Sequence, residues 1–207
     1  GVEGKSGRFR IPNQEEAARI TADLGKARYQ VASVTKKEKR VRPAAPFITS
    51  TLQQEAWRKL RFTTRRTMIV AQQLYEGIAL GDRDAEGLIT YMRTDSTNMA
   101  ASARREAAEY IKEKFGAAYA PKSPRTYSKK VKGAQEAHEA IRPTSIMREP
   151  KSIRRHLSQE QYRLYDLVWK RMLASQMTDA VFDSTTVDIN AESPKTGTLY
   201  GFRATGA

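Results

Sequence analysis

The sequence predicts a mixed α+β fold, predominantly helical, in which a helical domain is inserted into part of a β-rich one. Two observations carry this. Strand-forming residues lie toward both ends, at Tyr29 to Val41 and again at Val181, Val187, Ile189, Tyr200 and Phe202. Between them, several segments open on capping residues and continue with apolar residues at helical spacing. The clearest of these is the stripe Leu164, Tyr165, Val168, Trp169, Met172 and Leu173, which follows the capping-box pair Ser158 and Gln161. That stripe reads as core rather than as a cofactor-binding face.

A short extended piece around Phe9 and Ile11 comes first. Asn13 with Glu16 then signals a capping box for a helix to about Leu24, ended near Gly25. The strand from Tyr29 to Val41 closes on a basic tail, Lys36-Lys37-Glu38-Lys39-Arg40, read as a solvated strand end. Pro43 and Pro46 mark a boundary, because residues next to proline resist helix. Thr49 or Ser50 is expected to cap a helix through Trp57 to Leu60, and Thr63 or Thr64 a second one to about Tyr75. This is a helix-turn-helix outline with a basic cluster, Arg58, Lys59, Arg61, Arg65 and Arg66. Such outlines occur in many folds that never meet DNA.

A loop from Gly77 to Gly87 leads into Leu88-Ile89-Thr90-Tyr91, a short apolar run of strand type. Ser96, Thr97 and Asn98 offer three successive caps for a helix from about Ala100 to Phe115, stopped by Gly116. Residues 117–134, rich in Pro, Lys and Tyr, read as a mobile basic loop.

Lys and Arg number 37 against 23 Asp and Glu, a formal charge of +14. A polyanionic partner is the leading reading, and a merely basic surface the plainer one. With no cysteine, disulfides, zinc ribbons and thiol catalysis are excluded within these residues. No stretch approaches the roughly 18 consecutive apolar residues of a membrane helix, and no signal peptide is evident, so a cytoplasmic location is the default. The start at Gly1 and the end at Ala204-Thr205-Gly206-Ala207 suggest a piece of a longer chain.

Read from its residues alone, Tyr91 is a packing or surface tyrosine near the end of a short strand. The surrounding segment, Gly87-Leu88-Ile89-Thr90-Tyr91-Met92-Arg93-Thr94-Asp95-Ser96-Thr97, nevertheless resembles the nucleophile motif of the bacterial type IA DNA topoisomerases. Three other blocks resemble that family in its usual order. They are Pro46 to Ala56 (PFITSTLQQEA), Gln73-Leu74-Tyr75-Glu76, and Gln135 to Thr144 (QEAHEAIRPT).

The resemblance implies that Tyr91 attacks a phosphodiester, expels the 3′ oxygen and stays linked to the 5′ phosphate while a strand passes through the gap. Negative supercoils are relaxed without ATP, since one ester replaces another. The residue types suit this chemistry. A phenol, with an ordinary pKa of about 10, needs a nearby cation or base to act at neutral pH. In an extended segment Arg93 shares a face with Tyr91, and its fork of donors can hold a phosphate oxygen. His138, placed by the resemblance near the scissile phosphate, can bind phosphate or carry a proton. Arg93, Thr94, Asp95 and Arg142 are the candidate DNA-binding residues, with bracing of the turn before the next helix an equal reading for Asp95. His156 has no such support.

Asp82, Asp84 and Glu86 resemble the metal-binding carboxylates of the family's Toprim domain, yet they occur in a Gly-flanked loop and read as solvated. The resemblance places no cofactor in this chain and expects Mg²⁺ in the complete enzyme, through a Toprim domain preceding Gly1. It implies that 1–50 begin a β-rich arch domain, 51–177 form the helical catalytic-tyrosine domain and 178–207 return to the arch. The expected partners are DNA, especially single-stranded or negatively supercoiled, and the enzyme's remaining domains. A nucleoid-associated monomer with no membrane partner is expected, the chain alone binding DNA weakly without cleaving it. The alternative from another class is a non-catalytic basic module gripping duplex DNA through residues 57–75.

Overall fold

The structure, a computed structural model, describes residues 11–81, 84–127 and 138–207. In chain order the elements begin with α1 (Gln14–Leu24), β1 (Arg28–Val41), α2 (Thr49–Leu60), α3 (Thr64–Glu76), β2 (Ile78–Ala79) and β3 (Ala85–Glu86). They continue with α4 (Ala101–Phe115), α5 (Pro150–Ile153), α6 (Gln159–Ser175), β4 (Ala180–Glu192) and β5 (Leu199–Gly206). The chain divides into two compact units, one made of both ends, up to Val41 and from Ala180, the other of Arg42–Asp179. Residues 42–50, which the resemblance would give to the arch, pack with the helical unit. Phe47 is fully buried there, and its carbonyl accepts from the Ile141 N–H at 2.8 Å.

In the unit of the two ends, β1 pairs antiparallel with β4 and β4 with β5. The Asn13 side chain accepts from the Glu16 N–H at 2.8 Å and starts α1 as expected. The capping box is one-sided, however, because the Glu16 carboxylate turns forward to Arg19. A small core joins Ile20 of α1 to Ala191 and Tyr200, whose hydroxyl donates to Asp23 at 2.9 Å. Ile11 lies outside any strand, and Phe9 lies outside the described residues.

The helical unit is organised by α6, which packs against α2 and α3. The Ser158–Gln161 box forms in full, and Leu164, Tyr165, Val168, Trp169, Met172 and Leu173 are all buried. Two of them satisfy their polar ends inside the core. The Trp169 indole donates to the Ile146 carbonyl at 2.8 Å and the Tyr165 hydroxyl to that of Arg148 at 2.7 Å. Burial also pushes the Tyr165 phenol well above its ordinary value.

Three expectations need correction. Neither Thr49 nor Ser50 caps α2. Ile48 is the capping position, and the Thr49 hydroxyl is drawn to the backbone of Met92 and Thr94 instead. None of Ser96, Thr97 and Asn98 caps α4, where the Glu139 carboxylate accepts from the N–H of Ala100 at the cap. Residues 117–127 are pinned rather than mobile. Arg125 bonds the Met177 carbonyl and pairs with Asp179, while the Tyr127 hydroxyl bridges the carbonyls of Pro43 and Ser175. The remainder of that loop, with Gln135, Glu136 and Ala137, lies outside the described residues. Thr63 does cap α3, accepting from the Arg66 N–H at 3.2 Å.

Candidate active site

The segment expected as a strand is held by single bridges rather than a ladder. Leu88 donates its N–H to the Leu74 carbonyl at 2.7 Å, at the C-terminal end of α3. On its other side Thr90 N–H donates to the Arg142 carbonyl at 2.9 Å, and Thr144 N–H to the Leu88 carbonyl at 3.0 Å. The Thr90 hydroxyl adds a bond to the Ala140 carbonyl at 2.7 Å. Leu88 and Ile89 are buried, so the segment is fixed from both sides just before Tyr91.

From Tyr91 onward burial alternates. Tyr91, Arg93 and Asp95 are exposed, while Met92 and Thr94 are buried. This two-residue alternation turns the phenol and the guanidinium outward together, although the backbone bends at Met92 and Arg93. The Tyr91 ring meets the Tyr75 ring edge-on, with centroids 5.3 Å apart. Arg93, Asp95 and His138 line one open depression with Ile48, Thr49, Ser50 and Thr94. Thr49 ties its floor together, its hydroxyl accepting from the Thr94 N–H at 2.9 Å and reaching the Met92 carbonyl at 2.8 Å.

Two of the candidate DNA-binding residues are differently placed. Arg142 is buried, paired with Glu139 at 2.7 Å and donating to the Pro143 carbonyl at 3.0 Å. Thr94 is buried with its hydroxyl accepting from the Ser96 N–H at 3.1 Å. Thr94 lines the depression, whereas Arg142 does not; its two terminal nitrogens are engaged by Glu139 and Pro143, and its buried Nε has no partner among the described residues. Asp95, by contrast, is exposed in the depression rather than capping the next helix. Sequence reasoning missed Glu139, which joins α4 to the 139–143 segment, and Thr49; both lie within the resembling blocks, but their bonds are tertiary.

Among the described residues no group of three His, Cys, Asp or Glu side chains is placed to hold a metal ion. Asp84 is exposed, Glu86 pairs with Arg148 at 2.6 Å, and Asp82 lies outside the described residues. The basic cluster on α2 and α3 is partly spent on protein partners. Arg58 and Lys59 pair with Glu55, and Arg66 with Glu160. The Glu55 carboxyl is opposed by its own burial but held below its ordinary value by Lys59, Arg171 and Arg58. His156 accepts from the neighbouring Arg155 at 3.0 Å and takes no part in the depression.

An exposed phenol is thus followed two residues on by an exposed guanidinium, which shares a depression with an imidazole from a separate block, on a unit built mainly of helices. A model of the DNA topoisomerase family matches residues 2–206. The chain belongs to that family, in its bacterial type IA branch. It is 51% identical over 201 residues to DNA topoisomerase 1 of Xylella fastidiosa strain 9a5c, and equally to that of strain Temecula1. The match takes in 96% of this chain and 24% of each relative, so the chain spans about a quarter of their length. Full-length topoisomerase I from Thermotoga maritima superposes with a TM-score of 0.73 at 33% identity, over 99% of this chain and 31% of that one. Among the described residues no helix is long and apolar enough to cross a membrane.

Proposed function

We propose that this chain is the nucleophile-bearing part of a type IA DNA topoisomerase and that Tyr91 forms the transient bond to DNA. The Tyr91 oxygen attacks a backbone phosphorus and the bond to the 3′ oxygen breaks. The phenolic proton is lost, the 3′ oxygen takes up a proton, and the 5′ phosphate remains esterified to tyrosine. A strand passes, and the 3′ hydroxyl then attacks the same phosphorus and frees the phenol. No ATP is consumed because each step exchanges one phosphate ester for another. In the complete protein this relaxes negative supercoils.

Arg93 binds a non-bridging phosphate oxygen and stabilises the charge that accumulates in the pentacovalent state. His138 binds the same phosphate or carries the proton between the two oxygens. Asp95 orders the polar floor facing them, while Thr94 and Arg142 act behind it as positioning residues. The Mg²⁺ dependence assigned to the complete enzyme rests on residues outside this chain, and no step here is routed through the ion.

The observation that supports this reading most is the meeting of Arg93 and His138, from separate sequence blocks, in one open depression, with Arg93 two residues on from the exposed Tyr91. In the complete protein, Tyr91→Phe is expected to abolish relaxation of a negatively supercoiled plasmid while duplex and single-strand binding persist. Relaxation at the wild-type rate would overturn the proposal. The chain alone is expected to bind single-stranded DNA with strong salt dependence and to leave it uncut.

A further inference from the structure

The end of α3 is fastened to the nucleophile segment more tightly than packing alone requires. Leu74, fully buried, accepts from the Leu88 N–H at 2.7 Å. One residue earlier in that segment, a β-carbon on Gly87 would lie 2.7 Å from the Tyr75 carbonyl oxygen, so only glycine allows this approach. Gly77, with φ +127°, turns the chain out of α3 into the β2–β3 hairpin that brings residue 87 back. The result is that Tyr75, on the last turn of a rigid helix, faces Tyr91.

Their rings meet at an interplanar angle of 64°, an edge-to-face arrangement favoured by aromatic quadrupoles. Tyr75 is 41% exposed and Tyr91 44%, so each ring is supported on one side and open on the other. Among the described residues the Tyr75 hydroxyl makes no hydrogen bond, and its contact with Tyr91 is ring to ring. We propose that Tyr75 is a positioning residue for the nucleophile, its ring selecting the Tyr91 rotamer that presents the phenolic oxygen to the phosphate. This rests on Tyr91 being the nucleophile. An exposed tyrosine otherwise samples several rotamers, and reaction requires one of them.

The test uses the complete protein with a labelled single-stranded oligonucleotide and Mg²⁺, measuring the single-turnover rate of covalent adduct formation at saturating DNA, together with oligonucleotide affinity. Tyr75→Leu, which retains bulk without the aromatic edge, is expected to slow adduct formation roughly three- to ten-fold, the range an aromatic pair supports. Affinity should stay within about two-fold and Tyr75→Phe should restore the rate. A wild-type rate in Tyr75→Leu overturns the proposal, as does a loss of affinity with the rate intact, which would make Tyr75 a base-stacking residue. Slowing by Tyr75→Phe equal to that by Tyr75→Leu also overturns it, since the hydroxyl would then be the active group. If Tyr75→Leu fails to fold, Tyr75→Met is compared with Tyr75→Phe on the same criteria. A wild-type protein that forms no adduct on Tyr91 overturns the functional reading, and this one with it; an adduct on Tyr91 that is indifferent to Tyr75 overturns only this one.

Discussion

Gly87 passes so close to Tyr75 that any β-carbon on it would stand 2.7 Å from the Tyr75 carbonyl oxygen. The neighbouring atom is backbone at the end of a packed helix and has little freedom to yield. Gly87→Ala is therefore expected to destabilise the chain by about 1–3 kcal/mol, the usual range for overpacking. Urea denaturation measures this, and an unchanged midpoint would show that the α3 end is softer than the geometry implies.

Arg142 and Glu139 form a largely buried pair at 2.7 Å, and Glu139 also caps α4 through the Ala100 N–H. Removing the carboxylate leaves a buried guanidinium without its counter-ion and an uncapped helix. Glu139→Ala is expected to cost about 2–4 kcal/mol, toward the lower end for broken buried pairs because Glu139 keeps some solvent contact. Glu139→Gln should recover part of that by retaining a hydrogen-bond acceptor. Equal denaturation midpoints for the wild type and Glu139→Ala would contradict the bracing role.

Burial and the nearby Glu149 carboxylate, which accepts from the Tyr110 hydroxyl at 2.9 Å, push the Tyr110 phenol up from 10.0 to about 12. A group whose folded pKa is raised contributes stability that is intact below its unfolded value and is lost as pH rises through the folded one. The loss attributable to Tyr110 therefore falls between about pH 10 and pH 12. In Tyr110→Phe the decline of stability over that window should be shallower than in the wild type, as followed by denaturation at stepped pH. Parallel curves would refute the assignment.

Arg93 is exposed and forms no ion pair among the described residues. Arg93→Ala should thus leave folding stability within about 0.5 kcal/mol, as exposed substitutions do. In the complete protein it should slow adduct formation by about 10²- to 10³-fold, the scale of losing one charge-stabilising donor. A rate within two- or three-fold of wild type would remove Arg93 from the chemistry.

Local signals were legible in the sequence wherever their partners are also local. Asn13, Thr63 and the Ser158–Gln161 pair each start the expected helix, because the cap and the N–H it satisfies lie within one turn. Thr49 and the run Ser96-Thr97-Asn98 carry the same chemistry, yet none of them caps the helix that follows. The backbone of Met92 and Thr94 holds the Thr49 hydroxyl, and Glu139 reaches the α4 terminus first. The four resembling blocks name Tyr91, Arg93 and His138; Arg93 and His138 line one depression, and Tyr91 is not among its lining residues. The burial of Arg142 and the pairing of Tyr75 with Tyr91 were not legible, because both depend on how the hairpin and the 139–144 segment fold back onto α3.

The central claim is that Tyr91 makes the covalent bond to DNA. Its most direct test is to trap the complete protein on a labelled single-stranded oligonucleotide with Mg²⁺, digest the adduct and locate the modified residue by mass. The account predicts a 5′-phosphorylated nucleotide on Tyr91 in the wild type and no adduct in Tyr91→Phe. A nucleotide on any other residue, or an adduct that survives Tyr91→Phe, would contradict it.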